Sequence, residues 1–123
     1  MRPYRCLGAT VLAIVGAVAS MGASAHAILT DSSPKANGNV PAGHIPLTLT
    51  YNSKVDQGRS KLVLGGPDHS ETPLAIASNA DKPNELDSEA TLKPGAYVIH
   101  WQALALDGHI TRGDLAFTVV TGP

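Results

Sequence analysis

Two of the chain's five histidines have neighbours that give them chemistry. His109 closes the triplet Asp107-Gly108-His109, and His26 follows Ala23-Ser24-Ala25, a small-x-small site of the kind at which a leader is cleaved. A chain that begins at His26 presents a free α-amine beside an imidazole, and those two nitrogens can close a chelate ring on one metal ion. Asp107 and His109 stand two apart, so an extended backbone points both side chains to one face. Together these residues offer an amine nitrogen, two imidazole nitrogens and a carboxylate oxygen. That mixed N/O set suits tetragonal Cu(II), which also heads the affinity order of the divalent first-row metals. Zn(II) is the rival ion on the same donors. Because a D-x-H triplet also arises by chance in turns, spacing alone leaves a metal-free domain open.

The metal reading depends on the first 25 residues being removed. They start Met1-Arg2-Pro3-Tyr4-Arg5 and continue in an apolar run from Cys6 to Ala19, the pattern of a secretory signal peptide. The run is about 14 residues, short of the roughly 20 that a transmembrane helix needs. The expected organisation is therefore a signal peptide over 1–25 and one domain over 26–123, which is not membrane-embedded after cleavage. Cleavage removes the single Cys (Cys6) and both Met (Met1 and Met21), so the remaining chain holds no sulfur. Disulfides are then excluded, and so is ligation of a soft metal by thiolate or thioether. Loss of Arg2 and Arg5 also takes the formal charge from −1 to −3. With no Lys/Arg-rich run, the chain lacks the clustered cations that nucleic-acid binding requires. No G-x-S-x-G elbow or nucleophile with a paired base is visible, so hydrolase chemistry has no support.

The elements that must position these residues are strands. Turn formers recur at short spacing, as Asn37-Gly38-Asn39, Pro41-Ala42-Gly43, Gly65-Gly66-Pro67, Pro94-Gly95 and Asp107-Gly108, and nothing helix-length lies between them. Ile45, Leu47, Leu49 and Tyr51 share one parity, which predicts a half-buried strand. Shorter strands are expected near Ala27–Thr30, Lys61–Leu64, Leu74–Ala77 and Leu86–Leu92, and longer ones over Tyr97–Leu106 and Asp114–Val120. Seven short strands predict an all-β fold, an immunoglobulin-like antiparallel Greek-key sandwich or barrel. Tyr97, just after the Pro94-Gly95 turn, suits a tyrosine corner. Trp101 shares parity with Tyr97, Ile99, Ala103 and Ala105 and is expected to anchor the core.

The residues singled out stand in the order and spacing found in CopC-type periplasmic copper-binding proteins. His26-Ala27-Ile28-Leu29 followed by Ser32-Ser33-Pro34 resembles that family's opening H-x-x-L…S-x-P, and Leu47-Thr48-Leu49-Thr50-Tyr51 resembles its alternating strand ending in an aromatic. Leu92 to Ala103, then Asp107-Gly108-His109, Gly113 and Phe117-Thr118-Val119 are similar to its L-x-x-G-x-Y-x-V-x-W-x-A…D-x-H…G…F-x-V. The resemblance implies an immunoglobulin-like β-barrel and a Cu(II) site made by the His26 amine and imidazole with Asp107 and His109. It also implies a non-catalytic carrier or buffer in copper homeostasis or resistance, exported to the periplasm or secreted. Its partners would be the copper ion and, as a candidate, an inner-membrane copper transporter.

Two departures qualify the resemblance. Some members place a Glu just after the aromatic of the alternating strand, where this chain reads Asn52-Ser53-Lys54. Two-site members carry a Met-rich Cu(I) loop, which here reads Gly65-Gly66-Pro67-Asp68-His69-Ser70-Glu71 without methionine. A Cu(II)-only variant is therefore expected, with His69 an exposed loop residue and His44 and His100 structural. The rival functions are a copper oxidase built on an N-terminal histidine brace and a metal-free immunoglobulin-like interaction module.

Overall fold

Ile45, Leu47, Leu49 and Tyr51 are all buried while Pro46 between them is exposed and Thr48 and Thr50 are half-buried, so the alternation along this segment places one face in a core. In the computed structural model, which describes residues 26–122, the same logic runs through eight strands. They are β1 (Leu29–Ser33), β2 (Gly38–Pro41), β3 (Gly43–Tyr51), β4 (Lys61–Gly65), β5 (Glu71–Leu74), β6 (Glu85–Leu92), β7 (Gly95–Leu104) and β8 (Ile110–Val120). The leader expected over 1–25 lies outside the described residues.

The strands form two sheets, a three-stranded one in the order β1-β3-β6 and a five-stranded one in the order β2-β8-β7-β4-β5. Only the β4–β5 and β7–β8 connections stay within a sheet; every other link crosses from one layer to the other. The fold is thus the expected β-sandwich, with three corrections, of which the first is that the opening strand, expected near Ala27–Thr30, runs Leu29–Ser33. An eighth strand, β2, lies among the turn formers around Asn37-Gly38-Asn39, and it pairs parallel to β8, with Gly38 opposite Phe117 and Val40 opposite Val119. Turn formers around a single β-branched side chain carry no strand signal of their own, and this segment forms along the edge of β8. The expected strand at Leu74–Ala77 is displaced to Glu71–Leu74, because Thr72 to Leu74 pair with Leu62 to Leu64 and only Ala77 bridges onward, to Asp87.

The inner faces meet in one cluster that includes Leu47, Leu49, Leu62, Leu86, Ile99, Trp101, Ala103, Leu115 and Phe117. Tyr97, Ile99, Trp101, Ala103 and Ala105 are all buried, as their shared parity predicts. The Tyr97 hydroxyl donates to the Lys93 carbonyl at 2.8 Å, closing the tyrosine corner. Trp101 lies edge-to-face with Tyr51, ring centroids 5.4 Å apart. Its cross-strand partner is Gly113, where a Cβ would lie 2.5 Å from Trp101 Cζ2 and 2.7 Å from Cε2. The indole therefore occupies the space of the side chain that Gly113 lacks. This wedge stiffens β7 and β8 just below the loop that joins them.

Candidate metal centre

The β7–β8 ladder ends at the Leu104–Ile110 pair, and the chain reverses through Ala105-Leu106-Asp107-Gly108-His109. The Gly108 N–H donates to the Ala105 carbonyl at 2.9 Å and the Ala105 N–H to the His109 carbonyl at 2.8 Å. Gly108 sits at φ +94°, a backbone that favours glycine. Asp107 and His109 therefore do not meet by alternation along an extended strand, as their spacing had suggested. They meet across a turn. Asp107 Oδ1 accepts the His109 backbone N–H at 3.1 Å, and Oδ2 lies 2.8 Å from His109 Nδ1. Aspartate favours such turns because its short side chain can accept from the backbone two residues on.

The second half of the centre comes from the opposite end of the domain. Ala27 is buried, with its methyl in the core, while His26 and Ile28 on either side are exposed. The Ala27 carbonyl accepts from the Thr111 hydroxyl on β8 at 2.7 Å. The Ile28 N–H donates to Asn52 Oδ1 at 2.8 Å, and the Asn52 N–H donates to the Ile28 carbonyl at 3.0 Å. Residues 26–28 thus run between the two sheets, held to the segment after β3 on one side and to β8 on the other. His26 is delivered against His109, their rings edge-to-face with centroids 4.8 Å apart.

Three sequence candidates, His26, Asp107 and His109, are in this way brought to one place. Asp107's carboxyl is held below the usual carboxylate range, chiefly by the His109 backbone N–H and next by the bond to its ring, so it is anionic near neutrality. An ionised carboxylate can only accept, so the proton of the Asp107–His109 contact belongs to Nδ1, and Nε2 is the ring nitrogen left to face a metal. The imidazole of His109 is 59% exposed, which lets an ion arrive and leave without opening the fold. Among the described residues, no group of three or more His, Cys, Asp or Glu side chains is arranged to hold a metal ion by itself. The His26 main-chain nitrogen would add a further donor, as an amine, only in a chain that starts there.

The other histidines lie elsewhere. His44 faces Glu89 across β3 and β6 at 3.4 Å, and His100, on the outer face of β7, pairs with Asp114 at 2.8 Å. His69 sits exposed in the β4–β5 loop. Sequence reasoning missed Asn52 and Thr111, whose side chains hydrogen-bond to the backbone of Ile28 and Ala27. Asn52 carried a faint signal, standing directly after the buried end of β3; Thr111 carried none.

Comparison with known proteins gives concordant results. The CopC domain family matches residues 29–120. Protein YobA of Escherichia coli K12 is 34% identical over 102 residues, 77% of this chain and 79% of that protein. Copper resistance protein C of Xanthomonas campestris pv. juglandis is 27% identical over an alignment covering 97% of this chain and 99% of that one. Among solved structures, CopC from Methylosinus trichosporium OB3b superposes with a TM-score of 0.71 at 30% identity, over 80% of this chain and 97% of its own. PcoC, a methionine-rich copper resistance protein from Escherichia coli, gives 0.64 at 31% identity, over 78% of this chain and all of its own.

Proposed function

The chain belongs to the CopC family of copper resistance proteins, and from that premise we propose that it is an exported Cu(II)-binding protein that carries or buffers copper without catalysis. The metal site is made by the α-amine and imidazole of His26, by His109 and by Asp107. The observation that carries this reading is the meeting of His26 and His109 with rings 4.8 Å apart, on a His109 whose Nδ1 is engaged by Asp107. Two imidazoles, an amine and a carboxylate are hard or borderline donors, the set that Cu(II) prefers to Cu(I). Asp107 holds the His109 ring, and its two oxygens retain lone pairs for a metal. Both methionines and the only cysteine lie within the first 25 residues, so residues 26–123 offer no sulfur berth for Cu(I). Cleavage after Ala25 sends the chain to the periplasm or beyond and creates the amine in the same step. An inner-membrane copper transporter is the candidate recipient.

The test compares a protein beginning at His26 with one carrying a single extra alanine before it. The first should bind one Cu(II) tightly, with nitrogen coupling in its EPR spectrum. The extension turns the amine into an amide and should weaken binding by orders of magnitude with the fold intact. Equal copper binding by the two proteins would refute the site. Mass analysis of the exported chain checks the cleavage point.

A further inference from the structure

A first residue is ordinarily a poor metal ligand, because chain ends fray and each freed dihedral must be frozen when the ion binds. Here the end is fastened before any ion arrives. Ala27 places its methyl in the core, the Thr111 hydroxyl donates to the Ala27 carbonyl at 2.7 Å, and Asn52 Oδ1 accepts the Ile28 N–H at 2.8 Å. These contacts differ in what they join. The β1–β3 ladder breaks register between Leu29 and Asp31, and beyond Leu29, which pairs with Tyr51, Asn52 continues the pairing with its own N–H and with its side-chain oxygen in place of a backbone carbonyl. Thr111, on β8, ties the N-terminal segment to the strand that begins directly after His109, two residues from it.

We propose that Asn52 and Thr111 are positioning residues for the metal: they hold residues 26–28 between the sheets so that His26 meets His109 in advance of binding. The proposal rests on the copper site described above. Neither side chain is a ligand in it. The Asn52 amide oxygen accepts the Ile28 N–H, so its side chain serves the backbone that carries His26. The physical effect is preorganisation, in which ordering a ligand beforehand raises affinity by removing a cost that binding would otherwise bear.

The test uses the chain beginning at His26, with Thr111→Val, which keeps the branched shape without the hydroxyl, Thr111→Ser, which restores the hydroxyl, and Asn52→Ala. His109→Ala is run beside them. Loss of one hydrogen bond corresponds to roughly three- to tenfold in Cu(II) affinity, so Thr111→Val and Asn52→Ala should each weaken binding by that factor. Their copper EPR should show altered or heterogeneous nitrogen coupling, and Thr111→Ser should recover the parent spectrum and affinity. In the metal-free protein, hydrogen exchange at the Ile28 amide should accelerate in Asn52→Ala, a readout independent of copper. Unchanged affinity and spectra in Thr111→Val and Asn52→Ala, while His109→Ala binds weakly, would overturn the positioning role and leave the site standing. A Thr111→Ser protein as weak as Thr111→Val would overturn it for Thr111. Unaltered binding by His109→Ala would overturn the site and this inference together.

Discussion

Asp107→Asn separates the two jobs that the carboxylate does. In the parent, one oxygen accepts the His109 N–H at 3.1 Å and the other faces His109 Nδ1 at 2.8 Å. Asparagine has a single carbonyl oxygen. If that oxygen keeps the turn, the amide NH2 faces Nδ1 and donates to it, which moves the ring proton to Nε2, the nitrogen that the metal needs. If it keeps the ring instead, the turn bond is lost and the loop loosens. In the first case the metal must displace a proton that the parent keeps off Nε2, in the second it must order a loosened loop, and in both the negative donor is gone. Removing such an orienting partner costs about 10- to 100-fold in metal affinity, or about 1.4–2.7 kcal/mol. Because Asp107 lies in an exposed turn, thermal stability should change by less than about 0.5 kcal/mol. Competition against a graded series of Cu(II) chelators at fixed neutral pH reads the affinity, and thermal unfolding reads the fold. An affinity within about threefold of the parent would refute the reasoning, since that lies below the range expected for an orienting carboxylate. His109→Ala, which removes a donor outright, should cost more.

Copper occupancy should fall as pH drops through the range where free imidazole protonates, about 6.5, because proton and metal compete for the same lone pairs. Asp107 follows the opposite sign: with its folded pKa lowered, its support of the loop is fully present above the ordinary carboxylate value, about 3.9, and is lost only as pH falls through the lowered value. A binding curve that holds flat down to about pH 4 would contradict this assignment. Ascorbate reduction in the presence of a Cu(I) chelator should strip the metal from the protein beginning at His26, and retention of Cu(I) against a chelator that rivals methionine-rich sites would show the donor set to be wrong. Gly113→Ala should destabilise by about 1–3 kcal/mol, since its Cβ would sit 2.5 Å from a buried indole carbon. That corresponds to a drop of roughly 5–20 °C in Tm, and Trp101→Phe in the same background should recover part of it; an unchanged Tm would mean that the ring shifts freely.

Much of what depends on near neighbours in this protein is legible in the sequence. The period-2 burial of Ile45, Leu47, Leu49 and Tyr51, the tyrosine corner at Tyr97 and the burial of Trp101 follow from side-chain alternation and turn chemistry, which act over a few residues. So does the donor inventory, because residue types and the lack of sulfur after Ala25 need no coordinates. What depends on pairing across the chain is not. Strand β2 forms along the edge of β8, and its own residues, Gly38-Asn39-Val40-Pro41, read as turn formers around a single β-branched side chain. One local feature is also hidden, since the Gly108 turn, and not strand parity, joins Asp107 to His109. Most of all, His26 reaches His109 only because the sandwich brings the start of the chain against the β7–β8 loop, where Thr111 and Asn52 hold it by atoms whose partners lie 84 and 24 residues away. Local sequence carries the candidate donors; closure of the two sheets, a sum of many non-local contacts, decides which of them meet.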